Sequence, residues 1–313
     1  MKRIFNKFLI MLVTLLAVSF LVFLALSIIP GDAATNMLGT QATPEKIEAL
    51  REEIGLNDPF FVQYFRWLSG CIKGDFGTSY SYHMSVSSLI MDKLPITITL
   101  TIFSFMIIFV VSIPLGVFIA KHTGGIIDRI LTVINQIVMS IPPFFSGILI
   151  TLVFGLILGL FTPGGFVSYK TDVAGFIGYL IFPSIAIAIP KISMTVKLLK
   201  ESILEEYKKE YVRTAYSRGN STTQVLYKHV LKNAIIPVIT FLGMTLADIV
   251  AGSIVVEQVF GIPGLGRILL TSISNRDYPV VQAIIIILAV IILVINFIVD
   301  IIYHKVDPRI DTE

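Results

Sequence analysis

The sequence predicts an all-α membrane protein with about six transmembrane helices. Of its 313 residues, 55% are hydrophobic and only 14% are charged, whereas soluble domains carry about a quarter charged residues. Several apolar runs also approach or exceed the roughly 20 residues with which a helix crosses a bilayer. These two observations place most of the chain in lipid.

The apolar runs mark six spans in chain order. The first follows the basic residues Lys2, Arg3 and Lys7, and it is longer than the apolar core of about 7–15 residues found in signal peptides. It is therefore interpreted as a retained span. The six runs cover residues 8–29, 96–120, 130–161, 176–196, 234–256 and 280–303.

The third run is interrupted by Pro142 and Pro143. Because proline breaks the hydrogen-bond ladder of a helix, this run is either one kinked span or a span followed by a re-entrant piece. Counting it as one span gives an even number, which puts both termini on one side. That side also holds the loops after the second and fourth spans and carries most of the 24 Lys and Arg residues, so both termini are predicted to be cytoplasmic.

The segment after the first span is predicted to form a small external cap. Thr43 is predicted to cap a helix with Pro44 at the first helical position, and Ile47, Leu50 and Ile54 give an amphipathic spacing. Gly55 is predicted to end this helix.

Several kinds of chemistry are disfavoured by what the sequence lacks. The single Cys71 excludes an intrachain disulfide framework and a thiolate metal cluster. The motifs HExxH and GxSxG are absent, which disfavours an intramembrane enzyme. An ion-coupled secondary transporter is also disfavoured, because such proteins show more spans and more intramembrane ionisable groups. The net charge of +3 gives no indication of a nucleic-acid partner.

Two features inside or beside the fifth span have open interpretations. Asp248 lies within that span, where an acid is costly enough to imply a partner, so it is predicted to contact either a substrate in the pathway or a neighbouring helix. The sequence "GIPGLG" after this span lacks the Lys-Ser/Thr ending of a phosphate-binding loop. It is interpreted as an external turn that forms a gate or docking surface, or else as a plain tight turn; the gate or docking residues would be Phe260, Pro263, Gly264, Gly266 and Arg267.

The largest polar stretch of the chain lies between the fourth and fifth spans, at residues 205–233. Charges alternate in sign, with Glu205 four residues before Lys209 as a favourable helix pair. Ser221 and Gln224 form a capping box, and Gly219 is a natural helix end. The pattern predicts a helix, a short helix, a sharp corner and another helix. This arrangement is either a lever that docks into a partner or a solvated loop with helical ends.

This stretch resembles the cytoplasmic signature of permease subunits from ATP-binding-cassette (ABC) importers, E-A-A-x3-G-x9-I-x-L-P. Ala215, Gly219 and Leu231 match that pattern. The departures are those of the peptide and nickel branch, whose version resembles "YVRTA…G…H.L.NA..P"; they fall at Arg213, Thr214, His229 and Lys232. Further segments that resemble the same branch lie at residues 29–32, 55–68, 74–80, 255–267, 276–283 and 307–310.

The resemblance implies a type I ABC importer permease in a bacterial or archaeal cytoplasmic membrane. Such a chain pairs with a related second permease, binds two cytosolic ATPase subunits and receives its cargo from an external solute-binding protein. ATP and Mg²⁺ would be held by the ATPase subunits, and no cofactor is expected in this chain. Peptides are the expected cargo, and nickel or a metal chelate is the alternative.

The resemblance also implies roles for individual residues of the loop. Ala215 would permit close approach and Gly219 would permit the corner. The ATPase-coupling residues would be Tyr211, Val212, Arg213, Thr214, Ala215, Gly219 and His229. The chain divides into an N-terminal span with its cap at residues 1–93, a permease core at 94–304 with the coupling loop near 197–232, and a cytoplasmic tail at 305–313.

Overall fold

The structure, a computed structural model, describes residues 2–29, 35, 43–53 and 55–306. Within these ranges the regular elements are helices, and the one β-bridge, between Thr78 and Ser85, is isolated. The predicted tail motif at 307–310, most of the segment 29–32, and Ile54 lie outside the described residues.

Twelve α-helices are described, numbered here in chain order. The first six are α1 (Lys2–Ile28), α2 (Pro44–Glu53), α3 (Phe60–Lys73), α4 (Val86–Lys121), α5 (Ile126–Met139) and α6 (Pro143–Ile150), which continues as a π-helix over Thr151–Ile157. The others are α7 (Val173–Glu206), α8 (Glu210–Ser217), α9 (Thr222–Val225), α10 (Leu231–Phe260), α11 (Leu265–Ser274) and α12 (Tyr278–Val306), and a second π-helix over Leu226–Val230 joins α9 to α10.

Among the described residues, five continuous helices are long and apolar enough to cross a membrane: Phe5–Ile28, Val86–Lys121, Val173–Glu206, Thr222–Phe260 and Tyr278–Ile301. The predicted interruption of the third run is confirmed, because α5 and α6 meet at an angle of 101°. Pro142 is extended there and Pro143 opens α6, where its missing N–H costs nothing.

The chain divides into two compact units, one of residues Met1–Thr97 and Pro263–Val294 and the other of Ile98–Ile262 and Ile295–Glu313. The division into 1–93, 94–304 and 305–313 follows sequence order instead and stays a prediction.

Polar contacts inside the second unit identify its two ends. At one end Lys200 of α7 donates to Asp128 of α5 at 2.5 Å. At the other end the Tyr179 hydroxyl, also on α7, accepts from the Gly164 N–H at 3.1 Å. Tyr179 and Lys200 are about 31 Å apart along α7 at 1.5 Å per residue, so the chain between residues 128 and 164 runs from one end to the other. The bent pair of α5 and α6 therefore counts as one crossing, which gives six spans.

In the first unit, helix α3 of the predicted cap packs on the first span through aromatic rings. Phe23 of α1 lies 5.4 Å from Phe60 and 5.4 Å from Trp67, between ring centroids, and Ser19 shares a 2.9 Å hydrogen bond with the Tyr64 hydroxyl. Helix α2 begins at Pro44 as predicted, and Gly55 follows it with a positive φ of 71°.

Candidate functional site

The polar stretch between α7 and α10 has the predicted order of helices. Helix α7 ends at Glu206, and Lys209 is extended before α8 begins. Gly219 then adopts a left-handed φ of 80°, and Ser221 and Gln224 make both hydrogen bonds of a capping box at the start of α9. The prediction of a short helix held at a corner is confirmed.

Glu206 ties the end of α7 to the beginning of α8. Only 8% of the residue is exposed, and its carboxylate accepts the Tyr211 hydroxyl at 2.5 Å and pairs with the Lys209 ammonium. The Asn233 amide donates to the Tyr211 oxygen at 3.1 Å, which extends the connection to α10. These three-way contacts fix the position of α8 relative to the two long spans that flank it.

The contact of Lys209 with Glu206 corrects one prediction. A helix pair between Glu205 and Lys209 requires a continuous helix through both residues. Because α7 ends at Glu206 and Lys209 is the N-cap of α8, that prediction is wrong.

The environment of Tyr211 keeps its hydroxyl protonated. Burial raises the pKa of Tyr211, and its hydrogen bond to the Glu206 carboxylate raises the pKa further. Burial likewise raises the pKa of Tyr207. Tyr211 therefore remains a hydrogen-bond donor at all physiological pH values.

Helix α8 has one inward and one outward face. Val212 and Ala215 are buried, with 1% and 5% of each residue exposed. The outward face carries Glu210, Arg213, Thr214 and Ser217, which are all exposed. The side chains of Glu210 and Arg213 are 83% and 78% exposed and form an ion pair with each other.

Because Ala215 is buried, its small size matters for packing within this chain and not for contact with a docked partner. Helix α8 packs against α9 and the π-helix that follows it, so Ala215 permits close approach to this chain's own backbone. A partner that docks on α8 would meet Arg213 and Thr214 rather than Val212 and Ala215.

The corner after α8 is stabilised from the loop itself. Asn220 donates to the Ala215 carbonyl from its side-chain amide at 2.9 Å and from its backbone N–H at 3.4 Å, which satisfies a carbonyl of the last helical turn. Gly219 has no heavy atom within 4 Å of the place where a Cβ would lie. Glycine is therefore required at position 219 for its backbone conformation, and not because neighbouring atoms would clash with a side chain.

His229 lies in the π-helix at the base of the fifth span, and it is partly exposed. Such single-turn π segments inside long helices often occur at functional sites. No local pattern in the sequence predicted this element. Tyr227 in the same turn accepts from the Lys121 ammonium at 3.2 Å, which joins the turn to the end of α4.

The predicted external gate or docking residues are mostly buried. Phe260 is 1% exposed, and its carbonyl accepts the Tyr179 hydroxyl at 2.6 Å. Gly264, the N-cap of α11, and Gly266 are also buried. Of the five, only Pro263 and Arg267 present surface, and the gate or docking role of the set stays a prediction.

Sequence reasoning did not single out Asp277, which is fully buried. Its carboxylate accepts from the Ser79 hydroxyl at 2.5 Å, the Tyr80 N–H at 3.0 Å and the Ser81 N–H at 3.1 Å. The available signal was that Ser79 and Asp277 lie in two of the segments that resemble one branch of permeases.

Asp248 contacts a neighbouring helix. Its carboxylate lies 2.7 Å from the Lys191 ammonium of α7, and the two side chains are 63% and 19% exposed. The structure thus supplies the partner that an acid within a span requires.

The helical spans define a multi-span membrane protein, and the polar loop between two of them carries a short helix with an exposed polar face. The chain belongs to the family of binding-protein-dependent transport system inner membrane components. The model of that family matches residues 112–312, and the model of its N-terminal part matches residues 1–101.

Two curated relatives cover almost the whole chain. It is 38% identical over 300 residues to the oligopeptide transport system permease protein AppB of Bacillus subtilis, with 95% of each chain covered. It is 31% identical over 325 residues to the dipeptide transport system permease protein DppB of Alkalihalophilus pseudofirmus, covering 97% of this chain and 98% of that one.

A solved structure supports the same fold. The MetNI methionine ABC transporter, described as inward facing, superposes with a TM-score of 0.57 at 21% identity, covering 70% of this chain and 96% of that chain. The resemblance to ABC importer permeases of the peptide branch is therefore confirmed, together with the type I importer permease fold. The chain is a transport subunit and not an enzyme.

Proposed function

We propose that this chain moves peptides across the cytoplasmic membrane by alternating access, driven by two ATP-hydrolysing subunits that dock on the outward face of α8. The second half of the pathway comes from a related permease, and an external solute-binding protein delivers the cargo. ATP and Mg²⁺ are bound by the ATPase subunits. Both termini and the polar loop lie on the cytosolic side, where the Lys and Arg residues are concentrated.

The observation that carries this proposal is the bracing of α8. A helix that transmits force must be connected rigidly to the spans that it moves and still expose a face to its partner. Tyr211 meets the first requirement through Glu206 and Asn233. The exposed Arg213 and Thr214 meet the second.

Peptides are proposed as cargo because the relatives that cover the chain are named for oligopeptide and dipeptide transport. Uptake of a labelled dipeptide and of a nickel chelate by the complete importer decides between the two cargo classes. Uptake of the chelate alone would overturn the peptide assignment and leave the coupling proposal intact.

The coupling role is tested by co-purification of the chain with its ATPase subunits, comparing wild type with Thr214→Arg. A bulky charge at the centre of the outward face is expected to release the ATPases while the spans still insert. Retention of the ATPases by this variant at the wild-type level would place the docking surface elsewhere.

Thr271→Arg in α11 is the matched control. Thr214 and Thr271 are both exposed helical threonines, and each donates its hydroxyl to the carbonyl four residues earlier, at 3.2 and 3.0 Å. The control is expected to retain the ATPases. Ala215→Arg is a poorer test, because a buried arginine would disturb the packing of α8 itself.

A further inference from the structure

The ion pair between Lys191 and Asp248 lies deep within the membrane spans. Asp248 is about 18 Å from the end of α10 at Phe260, at 1.5 Å per residue, and the hydrocarbon core of a bilayer is roughly 30 Å thick. Lys191 lies close to the middle of α7 (Val173–Glu206). Charges at this depth are costly and generally mark function.

The face of α10 that carries Asp248 differs from faces suited to lipid. Its exposed positions follow helical spacing and include a charge, an amide and a small residue: Met244, Asp248, Ala251, Val255 and Gln258. Between Ile98 and Phe118, the exposed residues of α4 in the same unit are apolar, among them Ile102, Met106 and Phe109. The α10 face is therefore suited to water and polar ligands, as in the wall of a pathway.

The exposure of the two partners is unequal. Lys191 is largely covered by its own unit, while 63% of the Asp248 side chain is open. The carboxylate can accept a second cation without moving, and the flexible stem of lysine allows its ammonium to withdraw.

We infer that Lys191 and Asp248 form an exchangeable site for the two charged ends of a zwitterionic peptide, an inference that rests on the proposed function. The α-ammonium of the peptide replaces Lys191 on the Asp248 carboxylate, and the released Lys191 ammonium pairs with the terminal carboxylate. The termini of a dipeptide are at most about 7 Å apart, which a retracting lysine side chain spans. Without cargo the two residues neutralise each other, so the empty pathway carries no isolated charge.

The test measures uptake into proteoliposomes that contain the complete importer, with the solute-binding protein saturated. Three forms of one labelled dipeptide are compared: free at both ends, N-acetylated and C-amidated. Each result is expressed as the ratio of variant to wild type for the same peptide, so the selectivity of the solute-binding protein cancels.

Asp248→Asn is expected to lower uptake of the free dipeptide about tenfold, since a charge-assisted hydrogen bond of the ammonium is lost. It should change uptake of the N-acetylated form by less than about twofold. Lys191→Met should show the same contrast between the free and C-amidated forms. Met106→Leu, on the exposed apolar face of α4, serves as the control and should leave all three ratios near one.

If Lys191 and Asp248 only hold α7 against α10, a different result is expected. All three peptides would then fall by the same factor, and the reversed pair Lys191→Asp with Asp248→Lys would restore uptake; that outcome overturns the inference while the proposed function stands. If wild type assembles but takes up none of the peptides, the proposed peptide function falls as well. Should the single variants fail to assemble, the neutral pair Lys191→Met with Asp248→Leu must still lose discrimination between free and blocked ends, and retained discrimination overturns the inference.

Discussion

The carboxylate of Asp277 accepts a hydrogen bond from the hydroxyl of Ser79 at 2.5 Å, although the two residues are 198 positions apart. Two backbone N–H groups of the same turn complete the site, so a buried charge is balanced by three donors. The contact joins the segments at residues 74–80 and 276–283. One supplies a turn with exposed donors, and the other supplies the acceptor that orders it.

Replacement of Asp277 by Ala is expected to destabilise the first unit. Three donors would lose their acceptor in a fully buried place, and a cost of about 3 kcal/mol or more is expected. The measurement is thermal unfolding of the detergent-purified chain together with limited proteolysis of the turn at residues 77–83.

Asp75→Ala provides the control for that experiment. Asp75 is exposed and accepts one backbone N–H, that of Gly77, at 2.9 Å, so its loss should cost less than about 1 kcal/mol. Equal shifts in the unfolding temperature for the two variants would contradict the importance assigned to Asp277.

Much of the fold was predictable because apolar run length and proline act locally. Each of the six spans depends on one apolar run of about 20 residues, while the break at Pro142 and Pro143 and the start of α2 at Pro44 depend on a few adjacent residues each. The two π-helices were not predictable, because an extra residue in a helical turn depends on how neighbouring helices pack. The capping box at Ser221 was predictable, because both of its hydrogen bonds lie within four consecutive residues.

The order of the helices in the candidate site was predictable from the sequence, but which residues of α8 face inward was not. Sequence spacing located α8 and its corner at Gly219, yet it did not show that Ala215 points inward. Contacts such as Lys191 with Asp248 join helices that are far apart in the chain, and single-sequence patterns carry no information about such pairings.

Tyr211→Phe is expected to loosen α8 without unfolding the spans. The substitution removes the hydroxyl that bridges Glu206 and Asn233, at a cost of about 1–2 kcal/mol. Hydrogen exchange of the amides at residues 207–219 should become faster, while exchange in α7 and α10 stays slow. Tyr216→Phe, which changes an exposed tyrosine on the same helix, should leave the exchange rates unchanged, and the idea fails if the two variants behave alike.

The raised pKa of Tyr211 predicts a response to alkaline pH. Because the folded state holds this phenolic proton more tightly than the unfolded state, its contribution to stability is complete below the ordinary tyrosine pKa of about 10. That contribution is lost as the pH rises through the higher pKa of the folded state. Hydrogen exchange in α8 of wild type should therefore accelerate above about pH 10, and this component should be absent from Tyr211→Phe.

Gly219→Ala is expected to destabilise the loop by about 1 kcal/mol. Space is available for the added methyl group, so the cost comes only from the left-handed φ of 80°. Gly178→Ala in α7 is the matched variant, because it also meets no neighbour within 4 Å but lies in ordinary helical backbone, where alanine is favoured. Gly219→Ala should lower the free energy of unfolding and Gly178→Ala should raise it. Changes of the same sign in both variants would contradict the conformational explanation.

The reaction of Cys71 with an alkylating reagent is expected to be slow and to depend on pH. Burial raises the pKa of the Cys71 thiol to about 11, so only about one molecule in a thousand is thiolate at pH 8. Its alkylation should accelerate about tenfold per pH unit up to pH 10, whereas an exposed cysteine at Ser81→Cys should level off near pH 8.5.

The orientation of the chain is tested with introduced cysteines. In a Cys71→Ser background, an impermeant maleimide added to intact cells should label Thr271→Cys and should label Ser217→Cys only after the cells are opened. The reverse order of labelling would show that the polar loop is external, which would exclude docking of cytosolic ATPases on α8.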